Sequence, residues 1–206
     1  MQWLGKQITS DAIRLYRTPF YILHLLVPVS GILVFAVYQS ISSYTPDKFA
    51  INYYQVLTLI YPLLAAWICS IITEQEIEAG SGFFLVGTPS RGKVLLSKLF
   101  YLLLFGLGAC LFAVLGYSGA ATLIKPDFSL PLSTTLLMGL LVWSCSVCEY
   151  LFHTWLGLWF SRNASFAVGT AEILFAALML TGLGETIWFF GPSAWGVRLI
   201  SLLARY

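Results

Sequence analysis

The chain has 206 residues, 59% hydrophobic and only 10% charged, with a formal net charge of +2 and a mean hydropathy of +0.85. Soluble domains carry about 25% charged residues, and a core of this size still needs a wetted shell. The composition therefore excludes a soluble globular protein and defines an integral membrane protein, with too little positive charge to imply a nucleic-acid partner.

The first 18 residues are not a cleavable signal, because the apolar run that follows is too long and has no small-residue cleavage site. Leu4, Ile8, Ala12 and Leu15 recur at helical spacing, with Lys6, Ser10, Arg14 and Arg17 on much of the other side. That pattern predicts an amphipathic helix lying on the cytoplasmic surface and leading into the first span near Pro19.

A bilayer core of about 30 Å needs about 20 apolar residues as helix. Five segments qualify: 20–40, 53–72, 94–121, 135–160 and 166–183. A weaker stretch, Ile187 to Leu203, contains Gly191, Pro192 and Arg198 and reads as a broken or re-entrant interfacial piece. Helices are the only reading, since lipid cannot satisfy open backbone groups and no run alternates with a period of two. The fold class is thus an all-α polytopic transmembrane bundle forming a single domain over residues 1–206, without internal repeats. No stretch between apolar segments much exceeds about 20 residues, well short of a small catalytic domain.

Lys6, Arg14 and Arg17 precede the first span, Arg91, Lys93 and Lys98 lie between or just inside the second and third, and Arg162 follows the fourth. The opposite loops between spans hold only Lys48 and Lys125. This bias predicts a cytoplasmic N-terminus and an external segment from 184 to 206.

The segment Thr73 to Lys93, TEQEIEAGSGFFLVGTPSRGK, is the expected cytoplasmic loop. Glu74 and Glu78 share a helix face, where they repel unless a cation is near. Gly80 and Gly82 break the helix, Phe83, Phe84 and Leu85 form an apolar patch, and Pro89 closes a turn. An acidic edge, a hinge and an apolar patch suit docking on another protein, or else a solvated turn whose aromatics dip into the headgroups. Gly87 to Lys93 has P-loop spacing, but Val94 replaces the Ser or Thr that would bind magnesium and no strand precedes it. The chain itself is not expected to hydrolyse ATP.

The order of these features resembles the permease subunits of type-2 ABC exporters, in particular the group serving lantibiotic self-protection. The resemblance rests on DAIRLYRTPFYILHLLVP (Asp11 to Pro28), EQEIEAGSGFFLVGTPSRGKVLLSK (Glu74 to Lys98) and GLGETIWFFGPSAWGVRLISL (Gly182 to Leu202). It implies a bundle of six spans, and the chain stops where the sixth would begin. It also implies two copies of a separate ATPase subunit that holds the ATP and magnesium, a second permease subunit, identical or homologous, and an amphipathic peptide substrate in the bacterial plasma membrane. The positions matching the family's ATPase-docking loop are Glu74, Glu76, Glu78, Gly80, Gly82, Phe83, Phe84, Thr88, Pro89 and Arg91.

Ionisable groups at membrane depth are functional candidates by default. His24 lies in the first span, Glu149 and His153 in the fourth and Glu172 in the fifth. They either line a translocation path or bind neighbouring helices together. Cys145, Cys148, Glu149 and His153 have a weak metal-ligand pattern, with no second C-x-x-C, and no metal site is assigned from it. The four cysteines sit in apolar runs and do not read as a disulfide framework. Asn163 opens a glycosylation sequon that the expected orientation places in the cytoplasm. Trp188, Phe189, Phe190 and Trp195 surround Gly191 and Pro192, and suit an external gate or release surface as well as a simple aromatic anchor.

Two other readings stay open at this level, besides export of another amphipathic drug or lipid-like substrate. An intramembrane enzyme would need convergent acid, base, nucleophile or metal groups. A non-transporting assembly or sensor subunit needs only the bundle.

Overall fold

The computed structural model describes residues 2–78 and 91–204. Among these residues the chain is helical, without strands. The helices are α1 (Gln2–Tyr16), α2 (Phe20–Ile41), α3 (Pro46–Glu78), α4 (Arg91–Ile124), α5 (Leu132–Trp159), α6 (Arg162–Met179) and α7 (Pro192–Leu203). Two single 3-10 turns, Gly182–Gly184 and Trp188–Phe190, separate α6 from α7. Prolines punctuate the starts: Pro46 and Pro192 open α3 and α7, and Pro19 and Pro131 stand just before α2 and α5. A missing N–H costs nothing there, because first-turn donors have no helical acceptor.

Among the described residues, α2, α3, α4 and α5 are long and apolar enough to cross a membrane. The sequence predicted five such spans. The helix expected as the fifth is α6, but it begins at Arg162 rather than Phe166, stops at Met179 rather than Leu183, and has 18 residues. Ser161 caps it, accepting the Ala164 N–H at 3.1 Å, so the helix takes in the polar Arg162 and Asn163 as its first turn. In contrast, α3 overshoots the predicted 53–72 at both ends. Its 33 residues reach about 50 Å, some 20 Å more than the hydrocarbon core.

The bundle is organised around α3, which packs on α5, α6 and α7, whereas α2 packs mainly on α4. Each of the three α3 contacts is made through a glycine. A Cβ on Gly157 of α5 would lie 2.6 Å from Thr73 Oγ1, one on Gly169 of α6 3.1 Å from the Pro62 carbonyl oxygen, and one on Gly196 of α7 2.8 Å from Thr58 Cβ. Lipid tails are as apolar as leucine, so close backbone approach of this kind is what holds membrane helices together. Long-range hydrogen bonds add to it: the Tyr117 hydroxyl donates to Gln39 Oε1 at 2.8 Å, and Tyr61 donates to Tyr150 at 2.7 Å.

The predicted amphipathic α1 is present, with Leu15 buried and Ile8 and Ala12 packed on the core. Its apolar side rests on α4 and α2 of its own bundle. Tyr101 donates to the Ile8 carbonyl at 2.9 Å, and Ser97 donates to the buried Asp11 carboxylate at 2.6 Å. The C-terminal stretch is broken by the two 3-10 turns, and α7 lies against α3, α5 and α6. Gly191 comes up against the Phe175 ring, and Arg198, buried, donates to the Thr181 carbonyl at 2.7 Å.

Candidate functional site

Three regions hold the residues singled out in the sequence. The first is the end of α3. Gly80, Gly82, Phe83, Phe84, Thr88 and Pro89 lie outside the described residues, as does the Arg91 side chain, although Arg91 opens α4. The three glutamates have different settings. Glu78 is exposed. Glu74 meets Arg162 at 3.0 Å, with both side chains substantially solvent-accessible, so the first turn of α6 supplies the cation that the Glu74–Glu78 repulsion called for. Glu76 is completely buried and sits 2.7 Å from Lys98 of α4. It ties α3 to α4 and presents no surface to a docking partner.

The second region is polar and lies between α5 and α6. Glu149 and His153 are one turn apart on α5, as the i,i+4 spacing predicted, and Glu172 joins them from α6. His153 Nε2 is 3.0 Å from Glu172 Oε2 and 3.8 Å from Glu149 Oε2. Its other nitrogen, Nδ1, is 2.9 Å from the Ser165 hydroxyl. His153, Glu149 and Ser165 are all buried. Glu172 keeps 19% of its side chain accessible, which gives the cluster one open side. Ser165 was missed in the sequence, although Ser165 and Glu172 are seven residues apart and so share a face of α6. Cys145 lines the small cavity beside Glu149, along with Tyr61, Ser146 and Ser193, and the four cysteines are free thiols.

The string Ser165, His153, Glu172 has the order of a nucleophile, base and orienting acid. The Ser165 residue is only 1% exposed, however, so a substrate carbonyl does not reach its Oγ. His24 does not join this cluster. It is buried on α2 with Nδ1 2.8 Å from the Phe20 carbonyl and its ring against Phe20 and Phe105. It faces a separate cavity of about 30 Å³ lined largely by apolar side chains, including those of Pro28, Leu57 and Ala109. The structure thus joins three of the four candidate path residues and leaves the fourth apart.

The third region is the turn before α7. Phe189 and Phe190 are exposed, with ring centroids 4.3 Å apart, and Trp188 is half-buried. Trp195 bends back over them and donates its indole N–H to the Phe189 carbonyl at 2.8 Å. Pro192, which opens α7, also borders the cavity beside Glu149. The aromatic turn and the polar cluster are therefore linked through one short segment.

The fold and these sites define a helical integral membrane protein with a carboxylate–histidine cluster buried in its bundle. Compared with protein-family models, curated proteins and solved structures, the chain matches none.

Proposed function

We propose that the chain is the membrane-spanning permease subunit of a type-2 ABC exporter, expelling a lantibiotic-like amphipathic peptide from the bacterial plasma membrane for self-protection. In this reading the ATP and magnesium are held by two copies of a partner ATPase, and a second permease subunit completes the membrane part. The observation that carries the proposal is the overshoot of α3. A helix about 50 Å long is some 20 Å longer than the hydrocarbon core, and the described part of its end carries Glu74, beside Arg162 at the start of α6, and the exposed Glu78. A rigid lever of this kind suits a chain that receives a push from an ATPase and rocks its helices between inward and outward states. The α1 end would then face the cytoplasm, and the Trp188 to Trp195 turn would serve as the outer gate or release surface.

The test is copurification from the native membrane: an ABC ATPase captured with the chain supports the reading, and none captured overturns it. Replacing Glu74 and Glu78 by Ala is expected to reduce ATPase capture at least fivefold while leaving membrane insertion intact. Arg162→Ala, which frees Glu74 from its internal partner, is expected to leave capture in place. Undiminished capture and full ATP-dependent peptide resistance in the double variant would overturn the docking role.

A further inference from the structure

We infer that Glu149, His153 and Glu172 form a binding site for one divalent transition-metal ion of the zinc class, clamping α5 to α6 inside the membrane. One ligand atom from each of the three lies within 4.8 Å of the others. Ligands about 2.1 Å from a tetrahedral zinc stand about 3.4 Å from one another. The His153 Nε2 distances of 3.0 Å to Glu172 and 3.8 Å to Glu149 bracket that value. Imidazole with carboxylates suits zinc among the common ions, whereas calcium and magnesium take oxygen ligands.

The donor set also has the support that metal-bound histidine needs. A ligating imidazole usually donates its second N–H to a fixed acceptor, which sets the tautomer. Ser165 Oγ, 2.9 Å from Nδ1, is that acceptor, and it turns the Nε2 lone pair toward the two carboxylates.

Glu149 decides between a metal and a plain hydrogen-bond string. A neutral His153 donating Nε2–H to Glu172 satisfies those two residues and no more. The Oε2 atom of Glu149, on a side chain only 5% exposed and 3.8 Å from the same nitrogen, has no hydrogen-bond partner. A buried carboxylate oxygen without a partner is costly. Among the described residues the side-chain ion pairs of Arg14, Lys98 and Arg162 are made with Asp11, Glu76 and Glu74, away from the cluster. A dication coordinated by both carboxylates cancels their charge and satisfies the stranded oxygen in one step. The partly open side of Glu172 supplies the way in.

The experiment uses the full chain without a histidine tag, purified in detergent, stripped with chelator and titrated with Zn²⁺ alone by calorimetry, with metal content measured after dialysis. One zinc per chain is expected, and Zn²⁺ should raise the unfolding temperature by several degrees. Glu149→Gln and Glu172→Gln should each weaken binding at least a hundredfold, Ser165→Ala by about 10–100-fold, and the exposed Glu185→Gln not at all. Should Glu149→Gln lose its monodisperse peak, Co²⁺ absorption of the wild-type chain decides. An intense visible band marks a four-coordinate site and its absence rejects one. Substoichiometric zinc in the wild type, or equal affinity in Glu149→Gln, would return the cluster to interhelical hydrogen bonding. Labelling of Ser165 by a fluorophosphonate would replace the metal with a serine nucleophile. None of these readouts involves an ATPase, so the outcome is independent of the transport reading.

Discussion

Lys98 places its ammonium 2.7 Å from the Glu76 carboxylate, with 4% of the lysine side chain and none of the glutamate accessible. Two charges withdrawn from water are favourable only while both are present, because removing one strands the other. Lys98→Met is therefore expected to destabilise the bundle by about 3–5 kcal/mol, and the pair Glu76→Leu with Lys98→Met to recover most of the loss. Thermal unfolding of the wild type and the two purified variants in one detergent checks this. A double variant as unstable as the single one would show that the pair does more than balance charge.

Gly157 marks a close approach between α5 and α3. Any side chain there must displace Thr73, whose Oγ1 and Cγ2 stand 2.6 and 2.9 Å from the site of a Cβ. Gly157→Val should cost about 1–3 kcal/mol by overpacking. Adding Thr73→Ala to Gly157→Ala should relieve the clash, so that the double variant is more stable than Gly157→Ala alone.

Asp11 fastens α1 to α4 by accepting from Ser97, and pairs within α1 with Arg14. Asp11→Ala leaves the buried Ser97 hydroxyl without that acceptor, at a cost of about 1–3 kcal/mol. The loss should be local, since α1 touches only α2 and α4 among its larger contacts. Hydrogen exchange is expected to accelerate along α1 while the amides of α3 stay protected. Uniform acceleration would mean that α1 is integral to the bundle's stability.

Trp195 and Trp188 should behave differently. The Trp195 indole closes the aromatic turn through the Phe189 carbonyl, so Trp195→Phe should lower stability by about 0.5–1.5 kcal/mol. Trp188, half-buried and one residue from Phe189, should lose little as Trp188→Phe. Paired thermal midpoints decide this. Equal shifts would remove the turn-closing role.

The residues that were legible in the sequence were those whose partners lie nearby in the chain. The apolar runs gave α2 to α5 because lipid enforces helix on any long apolar stretch. The i,i+4 spacing placed Glu149 beside His153, and the amphipathic stripe gave α1. What the sequence withheld is the pairing between helices. Glu76 and Glu74 look alike in the run TEQEIE, yet one is buried against Lys98 and the other meets Arg162 near solvent. Their azimuths differ by two residues, and only the positions of α4 and α6 decide which side is the interior. Helix ends were the other blind spot. Hydropathy averages over a window, so it blurred the polar cap at Ser161 and the extra turns of α3.

The glycine contacts of α3 also impose an order on biosynthesis. A ribosome delivers α3 to the membrane long before its partners exist, for α5 starts at Leu132 and α7 ends at Leu203. At about 5–20 residues per second, α3 waits on the order of ten seconds for the last of them. During that interval Thr58 and Tyr61, which later face α7 and α5, are open to lipid or to whatever escort the insertion machinery provides. Substitutions that make α3 more polar would then show up first as failed insertion or degradation of nascent chains, before any effect on the finished bundle could be measured.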